Sequence, residues 1–201
     1  GRGVGNGREG IGGDWSEPEW IAFPPPIGWR LQYLALETAD RDVLSREFDA
    51  QGIEFKAGSE FAWLNLSLGA VARLRAHTGF PCLEHWADPI RKCLKVLGRF
   101  GTDAGGVLVE AAGMWKGEAA TRQVALVAER QGERIPSLLA AIVTGALLRG
   151  ELAVRGATHL STCLPIEHLF DEFDRRGLRF WLKRHHRANW KLLTEIAEVQ
   201  R

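Results

Sequence analysis

The sequence predicts an α+β fold, a mixed or antiparallel sheet with helices packed on it. Three observations predict it. Two strand-like apolar runs flank a glycine-containing turn near residues 107–129, the signature of a β-hairpin. Segments with helical and with strand periodicity are mixed along the chain, and no repeat recurs at a solenoid period. One helical segment, residues 137–149, is apolar nearly all round, which places it centrally against the sheet.

Composition narrows the class. The chain has 201 residues, 45% hydrophobic and 25% charged, the profile of a globular rather than a disordered protein. Against 26 Lys and Arg stand 25 Asp and Glu, a net charge of +1. That balance gives no electrostatic case for a nucleic-acid or membrane-surface partner, so neither is expected. The longest apolar run, residues 135–148, is interrupted by Pro136, Ser137 and Thr144 and falls short of the ~20 residues that span a bilayer. No N-terminal stretch reads as a signal peptide. Cys82, Cys93 and Cys163 are too few and too scattered for a disulfide framework, so reduced thiols in a cytoplasmic protein are expected.

Residues 1–19 begin with a glycine-rich stretch and read as a flexible lead-in. Gly3-Val4-Gly5-Asn6-Gly7 resembles a nucleotide-binding loop only superficially, because no strand precedes it and no apolar helical period follows. A short strand at residues 20–23 is stopped by Pro24-Pro25-Pro26, since proline lacks an N–H and fixes φ. Residues 29–36 alternate with strand period. Thr38 is placed to cap a helix over 39–48, with Asp40 and Asp42 at its positive end. Residues 53–58 read as a half-exposed strand. Helices follow over 64–77 and 83–100, the second interrupted or begun near Asp88-Pro89. The hairpin pairs 107–115 with 120–129 through Lys116-Gly117-Glu118. Pro136 suits the first turn of the helix at 137–149, and Gly150 ends it. A helix over 165–176 stops at Gly177, and a strand follows at 178–182. The basic run Lys183-Arg184-His185-His186-Arg187 leads into an amphipathic helix over 188–199. The expected organisation is therefore a lead-in (1–19), an α+β domain (20–182) and a basic C-terminal helix or tail (183–201). Trp63 and Trp115 are expected in the core. Trp15, Trp20 and Trp29 flank the proline-rich turn, where they either line a cleft or simply pack.

Arg30, just past that turn, can grip a carboxylate with its planar fork, or it can be an ordinary solvated strand arginine. In Arg155-Gly156-Ala157-Thr158-His159, glycine permits close backbone approach and His159 exchanges protons near neutral pH; the alternative is a plain loop. Cys82 and His85 can share a helix face, with Cys93 or the His185-His186 pair nearby in principle. Their spacing matches no structural-zinc pattern, so no metal site is expected. No Gly-x-Ser-x-Gly elbow, His-Glu-x-x-His or P-loop is present, and no catalytic residue is assigned.

The order of the pieces from about residue 20 to 182 resembles the C-terminal half of saccharopine dehydrogenase-like oxidoreductases. The residues that carry the resemblance are Phe23-Pro24-Pro25-Pro26-Ile27-Gly28-Trp29-Arg30, Val107–Trp115, residues 122–129, Ile135-Pro136-Ser137, Ala140-Ala141, Leu147-Leu148-Arg149-Gly150, Gly156-Ala157, and residues 173–180. The resemblance implies a substrate-cleft and dimerisation domain of an NAD(P)-dependent enzyme, with hydride transfer at a carbon–nitrogen or related bond. It also implies that NAD or NADP is held by a Rossmann domain, in cis or in trans, and that the protein is a homodimer. The family's glycine-rich turn and strand–helix repeats are absent here, so this chain is expected to be inactive alone and to bind no cofactor by itself. Arg30, Arg155 and His159 are the expected substrate-orienting groups for a small-molecule substrate. The competing expectation is a non-catalytic binding or assembly module derived from that family.

Overall fold

The computed structural model describes residues 16–35, 41–78, 87–152, 156, 163–185 and 188–194. The fold is mixed α+β with two antiparallel sheets, where the sequence predicts one. The chain divides into two compact units. One comprises Gly1–Ala22 with Trp29–Thr102, the other Phe23–Gly28 with Asp103–Arg201.

In the first unit, β1 (Ser16–Ala22), β2 (Trp29–Ala35) and β3 (Phe55–Ala57) pair in that order. Strand β1 begins earlier than the alternation suggests. A bulge between Ser16 and Glu19, with Glu17 at φ 50°, lets the polar Ser-Glu-Pro-Glu stretch join the ladder. Alternation on β2 buries Leu31 and Tyr33 on one face. Helices α1 (Arg41–Phe48), α2 (Ala62–Thr78) and α3 (Ala87–Leu97) complete the unit. The proposed cap Thr38 lies outside the described residues. Helix α2 passes so close to β2 that a Cβ at Gly69 would stand 2.8 Å from the Tyr33 ring. Helix α3 carries Pro89 in its first turn, where a missing N–H costs nothing, and residues 83–86 of the expected helix lie outside the described residues.

In the second unit, β4 (Gly105–Trp115), β5 (Glu118–Ala128), β6 (Leu178–Lys183) and β7 (Lys191–Leu192) form one sheet in chain order. The hairpin turn is two residues, not three. Lys116 at φ 53° and Gly117 at φ 84° make the left-handed pair that matches strand twist, and Glu118 already pairs with Trp115. Helices α4 (Ile135–Leu148) and α5 (Ile166–Arg175) cover one face, packing Ile142, Ala146 and Phe173 against Leu126, Ala128 and Phe180. Phe170 stacks on Phe180 with centroids 4.9 Å apart. On the other face Phe23, Ile27 and Trp190 cover Ala125, Val127 and Trp181. Gly150 at φ 71° closes α4: its N–H reaches Leu147 O, and the Glu151 N–H reaches Ala146 O.

Four expectations are corrected here. Helix α4 is not enclosed all round: it lies on one face of the sheet, and Leu147 and Leu148 near its end are exposed. Trp63 and Trp115 are about half exposed, at 50% and 47%. Trp115 sits near the hairpin tip, where the Arg122 guanidinium covers its ring at 4.6 Å. The helix expected from residue 188 does not form at its start. Lys191 and Leu192 instead pair with β6, and the Leu193 N–H donates to Phe180 O at 2.8 Å. Burial of Leu193 and packing of Trp190 outweigh the local helical spacing.

Glu172 on α5 carries the main ion pairs of this unit. Its side chain is only 12% exposed and pairs with Arg176 and, at 2.6 Å, with Arg175. The hydrogen bond from Arg176 holds its carboxyl below the ordinary glutamate value of 4.5. A depressed carboxylate stabilises the fold in full above its unfolded value, and that contribution is lost as pH falls through the folded one. Stability measured by denaturant titration should therefore decline below about pH 4.5 more steeply in the natural protein than in Glu172→Gln. Equal slopes would remove Glu172 from the acid response.

Candidate functional site

Arg30 enters the first unit on β2, opposite Ile21 of β1. Its side chain is 18% exposed, so it is not the solvated strand arginine that its position allows. One Nη donates to Trp29 O at 3.1 Å. The other lies 3.6 Å from Glu60 Oε1, an ion pair too long for a hydrogen bond. Glu60 is itself anchored, since its oxygens accept from the Thr102 N–H at 2.7 Å and the Thr102 hydroxyl at 2.9 Å. Gly101 leaves the room for this, because a Cβ there would stand 2.7 Å from Glu60 Oε2. The result is a largely buried cation, loosely neutralised, with donors to spare in its five-N–H fork. A ligand carboxylate with bidentate geometry can displace Glu60, which Thr102 retains.

Beside it lies a fully satisfied polar cluster. The buried Asn65 of α2 donates to Leu31 O and Ser59 O and accepts from the Ser59 N–H and hydroxyl. Every hydrogen-bonding position of its amide is used, which makes the cluster a structural anchor for β2 rather than a ligand-reading group.

Arg155 and His159 lie outside the described residues, as do Cys82, His85, His186 and the glycines of residues 1–15. Cys93 is exposed on α3 and Cys163 is half-buried. Among the described residues no group of three or more His, Cys, Asp or Glu side chains is placed to hold a metal, and no helix is long and apolar enough to cross a membrane. The described strands all pair antiparallel, so these residues contain no parallel strand–turn–helix unit of the kind that cradles a dinucleotide pyrophosphate.

Sequence reasoning passed over Arg130, Arg134 and Arg176, which line one cavity in the second unit. No local motif marks them. They meet where the end of β5, the start of α4 and the end of α5 converge, which the sequence alone does not reveal. No known family model matches the chain, and no curated protein is significantly similar to it.

Proposed function

We propose that the chain is the substrate-cleft and dimerisation domain of a saccharopine dehydrogenase-like, NAD(P)-dependent oxidoreductase. In this reading a Rossmann domain, in cis or in trans, holds NAD or NADP, which supplies the hydride chemistry. This chain contributes the surface that orients the substrate, and Arg30 grips a substrate carboxylate. The observation that carries the reading is the state of Arg30, a largely buried guanidinium whose only counter-ion among the described residues stands 3.6 Å away. The placement of the resembling segments supports it too. They fall on elements of an α+β fold: the Pro24 turn into β2, then β4, β5, α4, and the end of α5 into β6. Arg155 and His159 remain part of the proposal as further substrate-orienting groups.

A calorimetric titration with NADH and NADPH tests this. The 201-residue chain alone is expected to bind neither. If the reading frame extends upstream into a Rossmann segment, the longer chain is expected to bind one of them. Arg30→Gln in that longer chain should then raise KM for an acidic substrate about tenfold or more and leave cofactor affinity unchanged. Tight binding of either nucleotide by the 201 residues alone would overturn the division of labour. The second reading, a non-catalytic assembly module, draws on the exposed apolar side chains of β4, among them Val109, Met114 and Trp115. It is favoured if the longer chain also fails to bind either nucleotide.

A further inference from the structure

A cavity of about 330 Å³ opens in the second unit where the end of β5, the start of α4 and the end of α5 converge. Its size is at the lower end of the ~300–1,000 Å³ typical of small-molecule sites. Arg130, Arg134 and Arg176 line it, and Ile135, Leu138 and Leu178 give it an apolar wall.

The backbone forces these cations together. Ala128 pairs with Leu178 at the end of the ladder, and Arg130 and Arg176, each two residues outside that pair, both line the cavity. Gln131, at φ 54°, then turns the chain into a short 3-10 turn, Gly132–Arg134. That turn delivers Arg134 to the N-cap of α4, where its side chain makes no capping bond. The N-cap is the positive end of the helix and disfavours a cation. Three guanidiniums and a helix N-terminus thus meet in one place.

The local carboxylates neutralise only one of them. Glu172 pairs with Arg176 and is shared with Arg175. Among the described residues no carboxylate pairs with Arg130 or Arg134, and both are exposed. Glu129 and Glu133 are close in sequence, yet neither lines the cavity.

We infer that this cavity binds a small organic oxyanion. Its carboxylate or phosphate head is held by Arg130 and Arg134, and its apolar body lies against Ile135, Leu138 and Leu178. Planar guanidinium forks suit either head group, and the apolar wall requires more than a bare ion. This site is in the second unit and does not depend on the dehydrogenase reading, which rests on Arg30 in the first.

The test titrates the full chain with hexanoate, hexyl phosphate, inorganic phosphate and hexanol, followed by amide chemical shifts. At least one of the two six-carbon anions is expected to bind about tenfold or more tightly than hexanol and inorganic phosphate, with shifts centred on residues 130–138 and 176–178. The tighter of the two anions identifies the head group. The Arg130→Gln/Arg134→Gln double variant should weaken binding about tenfold or more, whereas Arg46→Gln, which removes the same charge in the first unit, should not. Glu172→Gln, which frees Arg176, should tighten binding severalfold, and it keeps the test independent of the double variant's folding. Binding of hexanol as tight as the anions, or a folded double variant that binds like the natural protein, overturns the site. Inorganic phosphate binding as tightly as hexyl phosphate, with hexanoate no tighter than hexanol, overturns the apolar half of the inference.

Discussion

Asn65→Ala should destabilise the first unit by about 3–5 kcal/mol, from unsatisfied buried groups at roughly 1–3 kcal/mol each. The side chain is fully buried. Its Oδ1 accepts from the Ser59 N–H and the Ser59 hydroxyl, both at 2.8 Å, and its Nδ2 donates to Leu31 O at 3.0 Å and Ser59 O at 2.9 Å. Truncation strands three backbone groups at once, and Gly58 packs too tightly against Leu31 O for the loop to collapse inward: a Cβ there would stand 2.3 Å from that oxygen. Asn65→Asp keeps the shape and should cost at least as much, because a carboxylate cannot donate to the two carbonyls. Urea unfolding gives the magnitude, and faster hydrogen exchange at the Ser59 amide locates it. A loss under about 1 kcal/mol would mean that water replaces the amide without penalty.

Gly132→Ala should cost about 3 kcal/mol or more, for overpacking that no rotamer change can relieve. A Cβ at residue 132 would stand 2.3 Å from both N and Cα of Gly105 and 3.0 Å from the Ala104 carbonyl carbon. The obstruction is backbone against backbone, so either β4 or the 3-10 turn must move. The turn is also held by the Gly132 N–H donating to Asp103 O at 2.9 Å. Displacing it would carry Arg134 away from Arg130 and Arg176. Gly113, on the same strand, is the control: nothing lies within 4 Å of a Cβ there, so Gly113→Ala should be neutral or stabilising by about 0.5 kcal/mol. Thermal unfolding of the two variants, with the Gly105 amide shift as a local reporter, separates them. Similar melting of both would show that β4 yields without resistance.

What the sequence made legible was local. Lys116-Gly117-Glu118 between two strand-like runs locates the hairpin because a glycine-containing turn can be recognised from its own residues, though the left-handed pair that shortens it to two is read only from the backbone. Pro136 and Gly150 bound α4 for the same reason: one lacks an N–H where none is needed, and the other adopts the positive φ that the closing turn requires. What was not legible depends on distant pairing. Residues 191–192 follow helical spacing but become a strand because β6 offers a ladder. Trp115 looks like a core residue until the eleven-residue strand β4 carries it past the covering helices. Arg30 was legible as a candidate, but its counter-ion Glu60 was not, since nothing in the spacing foretells that Thr102 fixes that carboxylate. The Arg130, Arg134 and Arg176 cluster is the extreme case, three unremarkable surface arginines until the fold brings them to one cavity.

The lining of that cavity also decides how an occupant responds to acidity. Guanidinium groups keep their charge at every pH where a protein of this kind stays folded. Capture and release therefore follow the occupant's own dissociation and that of Glu172, whose protonation in acid frees Arg176. A carboxylic acid would be held above roughly pH 4–5 and let go as it takes up a proton, near the range where free carboxyl groups titrate. A phosphate monoester, still singly charged well below that range, would be retained. Arg130 and Arg134 thus act as a constant positive trap, to which Arg176 is added only when Glu172 gives up its charge.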